Sequence, residues 1–343
     1  MPKQVKHIAV IRFSAMGDVA MTVPVLDCIA RKYDVKLTMV SRPFLKPLFS
    51  SVPNLDFFPA DFKNYYKGFF GLIRLYRDLK KRKVDAVADL HDVIRSKVIR
   101  TLFVLGGIPV ASIDKGRTEK KALTRMENKE FRQLRHSVDR YADVFEKLGF
   151  PVNPSDYRAT KLPLTENVLS VVGQKNQKWI GIAPFAQHEG KVYPEDLMRD
   201  VINRLADSGH KLFLFGGGDL EKRKLQSYAE NHESVIVVAG ALSFADELNL
   251  IANLDVMLSM DSANAHLAAI YDVPVVTLWG ATHPYAGFAP FNQNPEYMLT
   301  ADRGKYPGLP TSVYGNKKIP GYQDAMRTID PGDVVAKVLQ AIG

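Results

Sequence analysis

Apolar residues fall into short runs separated by stretches in which they recur every three to four positions. The run His7-Ile8-Ala9-Val10-Ile11 reads as a buried strand, and Val19, Val23, Leu26 and Ala30 after it keep helical spacing. The first half repeats this alternation. Strands are predicted at Ile8–Arg12, Val35–Val40, Leu55–Phe58, Val84–Leu90 and Ile108–Ile113, with helices near 19–31, 65–82 and 92–105. A longer helical stretch is predicted over 118–148, where Val138, Tyr141, Ala142, Phe145 and Leu148 keep the period. Pro151, Asn153 and Pro154 break the chain, and 151–175 reads as a linker with a short strand, Ala159–Leu164, and a short helix.

The second half restarts the pattern. Strands are predicted at Trp179–Pro184, Lys211–Phe215, Val235–Val238, Val256–Met260 and Val273–Leu278. Helices follow Pro194, lead up to about Asn253, and span Ser262–Tyr271, with a last one at 330–342. The stretch 286–325, rich in Gly, Pro, Asn and Tyr, reads as irregular loops. Strands alternating with helices argue for parallel sheets covered on both faces. The expectation is an α/β protein of two doubly wound, Rossmann-like domains in series with a cleft between them.

The first strand leads into Arg12-Phe13-Ser14-Ala15-Met16-Gly17-Asp18. Gly17 suits a tight strand-to-helix turn and a close ligand. Asp18 would lie where the carboxyl ends of parallel strands open into a crevice. It is equally suited to capping the helix that follows, and both roles stand at this point.

Composition narrows the classes. The chain has 343 residues, room for about two domains. Its single cysteine, Cys28, excludes an internal disulfide, and its eight histidines show no metal-ligand spacing. No apolar run approaches the ~20 residues that span a bilayer. Lys3, Lys6, His7 and Arg12 bracket only a short apolar run, unlike a secretory leader, so a cytoplasmic location is expected. The net charge of +9 is uneven: residues 1–150 hold 29 Lys and Arg against 16 Asp and Glu, the rest 17 against 21. The first half therefore favours an anionic partner, although a merely solvated basic face has the same composition.

Four loops of the second half carry polar groups at predicted strand ends. Asp261-Ser262-Ala263-Asn264-Ala265-His266 opens a helix whose free N–H groups can receive a phosphate, with His266 about one turn in. Gly216-Gly217-Gly218-Asp219-Leu220-Glu221 allows close backbone approach, but its spacing is not that of a nicotinamide site. Lys191 precedes a helix and can bring a point charge to a diphosphate. Thr282 follows the Gly280 turn. Each loop alone also fits an ordinary turn, a solvated lysine or a packed histidine. Together they suit a nucleotide diphosphate, which needs several convergent groups.

At these residues the chain resembles the ADP-heptose–lipopolysaccharide heptosyltransferases of bacteria. The motifs are Ser14-Ala15-Met16-Gly17-Asp18 with Pro24, Lys191-Val192-Tyr193-Pro194, Phe215-Gly216-Gly217-Gly218, Asp261-Ser262 with His266-Leu267-Ala268-Ala269, and Pro274 to Pro284. The resemblance implies a GT-B fold. An acceptor-binding domain would span 1–165 and a nucleotide-sugar domain 176–325, with residues 326–343 forming a helix that packs back on the first domain. It implies Asp18 as the catalytic carboxylate and Lys191 at the donor diphosphate. It also implies Asp261, Ser262 and His266 at a phosphate-binding helix start, and Glu221 on the donor ribose. Gly216, Gly217 and Thr282 complete the expected donor set. Two departures stand out: Ala263 replaces the family's usual glycine, and 302–325 lacks the cysteines common in relatives.

The implied reaction is transfer of a heptose from ADP-heptose to the lipopolysaccharide inner core with inversion, Asp18 acting as general base. No acidic pair of DxD type lies near the donor loops, so neither a metal nor a cofactor is expected. Ser14, Gly17, Arg95, Arg117 and Arg140 are candidates for the anionic acceptor. Residues 61–83 interleave eight Lys and Arg with six aromatics, a composition suited to peripheral contact with the inner membrane and equally to an ordinary amphipathic helix. Two alternatives remain. A nucleotide-sugar epimerase would act on donor alone. A non-catalytic nucleotide- or nucleic-acid-binding protein would show steep salt dependence on DNA, although no nucleic-acid signature is present and no such partner is expected.

Overall fold

The alternation produces two all-parallel sheets in the computed structural model, which describes residues 5–343. Lys3 lies outside the described residues. In chain order the elements are β1 (His7–Ile11), α1 (Met16–Ala20), α2 (Val23–Lys32), β2 (Lys36–Ser41), β3 (Leu55–Pro59), α3 (Gly68–Lys81), β4 (Ala86–Asp89), α4 (Ile94–Leu105), β5 (Val110–Ser112), α5 (Arg117–Thr124) and α6 (Ser137–Lys147). They continue with α7 (Glu166–Val172), β6 (Trp179–Ala183), α8 (Glu195–Ala206), β7 (Lys211–Leu214), α9 (Gly218–Ala229), β8 (Val235–Val237), α10 (Phe244–Ile251), β9 (Val256–Met260), α11 (Ala263–Ala269), β10 (Val275–Trp279), β11 (Met298–Thr300) and α12 (Pro331–Ile342).

The chain divides into two compact units. The first runs to Lys115 and includes Arg135–Arg158; the second holds Gly116–Leu134 and Ala159–Gly343. The first sheet has the order β3-β2-β1-β4-β5, and the second β11-β10-β9-β6-β7-β8. Each is doubly wound. The order reverses between β1 and β4 in one sheet and between β6 and β9 in the other. Such switch points open a crevice at the carboxyl ends of the strands. The expected α/β class and doubly wound topology are therefore observed. β1 and β6 are buried along their whole length, which is why their sequences read as unbroken apolar runs.

Several local expectations are corrected. The helix predicted over 19–31 is interrupted, because Thr22 turns its hydroxyl back to the Val19 carbonyl at 2.7 Å and Pro24 opens a new helix. The helix predicted over 118–148 is two helices. Between them Glu130 N–H bonds the Ala122 carbonyl and Leu134 N–H bonds the Tyr285 carbonyl, so the backbone partners are tertiary rather than helical. No strand forms at 159–164. There the Leu162 and Pro163 carbonyls accept from the side-chain amides of Asn253 and Asn249 instead. β11 is an edge strand within the segment expected to be irregular.

Residues 116–134 group with the second unit by their contacts. The final helix, α12, packs on α8, β9 and β10 within the second unit. Val334 and Val338 are fully buried there, and Tyr193 donates to the Ile329 carbonyl at 2.6 Å just before the helix.

Candidate active site

In the first unit, the chain leaves β1 beside the switch point, and Arg12 is fixed at that exit. Its N–H donates to the Val40 carbonyl at 3.3 Å, and its carbonyl accepts from the Ser41 hydroxyl at 2.7 Å. One guanidinium nitrogen donates to the Leu90 carbonyl at 2.7 Å, and the other pairs with Asp18 Oδ2 at 2.6 Å. The Arg12 side chain is 7% exposed and that of Asp18 24%. Asp18 Oδ2 also accepts from Ala15 N–H at 3.3 Å, closing the first turn of α1. Capping and site formation are thus compatible in one carboxylate. A shielded ion pair fixes orientation more than it adds stability. The result here is a carboxylate aimed by a buried cation yet still reached by solvent.

Two further side chains frame this turn. Tyr141 of α6 donates to the Asp18 carbonyl at 3.4 Å, and its ring lies 5.8 Å from the Arg12 guanidinium. Burial pushes its hydroxyl well above the ordinary phenol range. Phe13 N–H donates to His91 Nδ1 at 3.3 Å. Burial, reinforced by Arg12, Lys115 and Arg42, lowers the His91 imidazole to about 3, so it is neutral.

In the second unit, the loops after β10, β9 and β6, three neighbouring strands, meet on one carboxylate. Asp261 Oδ2 pairs with Lys191 Nζ at 3.0 Å and accepts from the Thr282 hydroxyl at 2.8 Å. The Lys191 and Asp261 side chains are 14% and 10% exposed. Backbone bonds tie the loops together: Ala281 N–H to the Gly190 carbonyl at 2.8 Å, and Thr311 N–H to the Ala281 carbonyl at 2.9 Å. Gly315, at φ +77°, lies against the Lys191 stem so closely that a Cβ there would overlap it. Ser262 holds the N-cap position of α11, but its hydroxyl lies 3.0 Å from that of Ser259 and does not cap the helix. The N–H groups of that first turn are therefore not taken by the Ser262 side chain. His266 is buried one turn in. After β7, on the far side of β6, Glu221 Oε2 accepts from Gly217 N–H at 2.8 Å and so closes the Gly216–Gly218 turn.

The expected donor residues thus occupy loops on four consecutive strands of one sheet, and Lys191, Asp261 and Thr282 touch directly. The expected acceptor residues are dispersed. Ser14 and Gly17 belong to the Asp18 turn. Arg95 is exposed in the first turn of α4, with its guanidinium 5.2 Å from the Phe62 ring. Arg117 is exposed at the start of α5, in the second unit. Arg140 is buried, and its guanidinium donates to the Arg135 and Asp114 carbonyls at 3.3 and 3.2 Å. Those bonds make it a clamp on the main chain.

With this geometry in place, the model of glycosyltransferase family 9 (heptosyltransferase) matches residues 72–314. The chain belongs to glycosyltransferase family 9. Lipopolysaccharide heptosyltransferase 1 of Escherichia coli is 24% identical over 293 residues, covering 81% of this chain and 89% of that one. A family 9 glycosyl transferase from Veillonella parvula superposes with a TM-score of 0.77 at 19% identity, covering 100% of this chain and 98% of that one. The E. coli heptosyltransferase WaaC with ADP superposes at 0.66 with 20% identity, covering 98% and 99%. These structures share the fold, and that fold is GT-B.

Within this family 9 chain, three contributors escaped the sequence reading. Arg12 is the last residue before the motif turn, and its reach to Asp18 depends on the β4 end, 78 positions away in sequence. Tyr141 carries only a helical-period signal. Gly315 lies in a glycine-rich loop that offers no local clue to Lys191.

Proposed function

We propose that this glycosyltransferase moves a heptose from ADP-heptose to a sugar hydroxyl of a lipopolysaccharide inner core. The donor reading is supported by WaaC, whose structures carry ADP and ADP-2-deoxy-2-fluoro heptose. The acceptor reading is supported by the names of the E. coli and Haemophilus influenzae relatives, both lipopolysaccharide heptosyltransferases. The excess of Lys and Arg in residues 1–150 suits a phosphorylated or acidic acceptor.

The observation that carries the mechanism is the Asp18 carboxylate, oriented by Arg12 yet partly exposed. In this reading the acceptor oxygen attacks the anomeric carbon as the bond to the donor phosphate breaks, which inverts that centre. Asp18 takes the acceptor proton, which requires approach to about 3 Å. ADP departs with the released charge. Lys191 turns from Asp261 to the diphosphate, and the N–H groups opening α11 add to the positive potential. Protein cations answer the leaving group, so the reaction proceeds without a metal, and chelator leaves the rate unchanged.

Incubating the full chain with ADP-heptose and a deacylated inner-core acceptor tests the reading. It requires ADP and an elongated, anomerically inverted product to appear together. Free or isomerised sugar from donor alone would favour the epimerase alternative, and a retained configuration would exclude the single displacement.

A further inference from the structure

α3 buries Leu72, Leu75 and Leu79 along one stripe, yet its first turn presents Phe69 and Phe70 at 62% and 82% exposure. Neither ring belongs to the packed stripe. α4 begins in the same way, with Ile94 at 82%. The two helices pack together, with Tyr76 and Phe103 rings 4.9 Å apart. Both return from parallel strands of one sheet, so their first turns lie at the same edge, the carboxyl ends of the strands. Phe62 joins this edge to the catalytic turn, its ring 4.5 Å from that of Phe13, next to Arg12.

Cations surround the apolar tip. Lys63, Lys67 and Arg95 are exposed beside it, and the Arg74 guanidinium lies 4.7 Å from the exposed Tyr65 ring. The nearby acid, Asp61, is engaged by Asn64 and by the Lys63 and Asn64 N–H groups at 2.8–3.2 Å. Bulky apolar side chains ringed by Lys and Arg are the chemistry of an interfacial anchor, with rings entering the acyl boundary and cations meeting anionic headgroups. A protein partner explains the exposed rings but not the one-signed rim.

We propose that the first turns of α3 and α4 form a docking face for an anionic lipid bilayer, with Phe69, Phe70 and Ile94 inserting. This deepens the acceptor reading above: the face shares a sheet edge with Asp18, so a lipid-linked sugar is met where the protein touches its membrane.

The test is co-sedimentation of the full chain with phosphatidylcholine vesicles with and without phosphatidylglycerol. No donor or sugar acceptor is present, so the outcome is independent of the transfer reaction. Binding is expected on the anionic vesicles and is weakened by salt. Phe69→Ser/Phe70→Ser is expected to lower the bound fraction about tenfold, and Lys63→Glu/Lys67→Glu to do the same on anionic vesicles alone. Both variants should keep the wild-type melting temperature and the wild-type rate on a deacylated, soluble acceptor. Binding that ignores lipid charge, or an aromatic variant that binds like wild type, overturns the proposal. So does loss of self-association in place of vesicle binding, because the face is then a contact between copies.

Discussion

Acidification should loosen the turn that carries Asp18, and His91 sets the size of the effect. Its imidazole accepts from Phe13 N–H while buried among cations, and it titrates near 3 rather than near 6.5. Between those values the unfolded chain binds a proton that the folded chain refuses, so stability falls as pH drops. At pH 5 the gap is 1.5 pH units below the ordinary value, which corresponds to about 2 kcal/mol lost relative to pH 7.5. His91→Asn removes the titration and can keep an oxygen near the Phe13 N–H. Urea unfolding at pH 7.5 and pH 5 should show the wild type losing about 2 kcal/mol more than this variant between the two conditions. Equal losses in the two proteins would refute the reasoning. The comparison with a variant is needed because His283, lowered to about 4 by burial and Arg303, adds to the acid loss, and the raised Glu247 carboxyl opposes it.

Burial raises the Glu247 carboxyl to about 7, so its ionised form weighs on the fold and stability is lost as pH rises from about 4.5 through 7. Glu247→Gln should therefore stabilise the protein by about 1–2 kcal/mol at pH 8, allowing for partial exposure, and by almost nothing at pH 4; a thermal melt series checks this. Arg12→Met should lower kcat on the order of a hundredfold with KM for donor little changed, because Asp18 loses its aim, and Arg12→Lys should restore part of the rate. A fall in stability with no change in kcat would make Arg12 merely structural. Gly315→Ala forces a side chain into a left-handed backbone and against the Lys191 stem. About 1–3 kcal/mol of stability and a raised donor KM are expected, measured by unfolding and steady-state kinetics.

Where local periodicity and burial agreed, the sequence predicted the elements to within a few residues. β1 and β6 are wholly apolar runs because both faces of a central parallel strand are covered. Prediction failed where the backbone found distant partners. Residues 125–136 have helical composition, but Leu134 and Lys129 are held by the Tyr285 and Pro310 carbonyls, so the helix stops. β11 is three residues long and owes its existence to β10. At the site, motifs marked residues in the segments that follow strands: Asp18, Lys191, Asp261 and Thr282. They did not mark what positions those residues, because Arg12 reaches Asp18 while the distant Leu90 carbonyl holds its guanidinium, and Gly315 acts through steric contact. Arg140 shows what composition leaves out: its place in a basic half says nothing of the main-chain carbonyls that its buried guanidinium meets.

The most direct measurement is single-turnover heptose transfer by Asp18→Asn, with folding confirmed by an unchanged melting profile and donor binding by calorimetry. Asparagine keeps the size of the side chain but cannot accept the acceptor proton. The account predicts wild-type affinity for ADP-heptose with the transfer rate down at least about a hundredfold. A folded, donor-binding Asp18→Asn protein that transfers heptose at near the wild-type rate would contradict it.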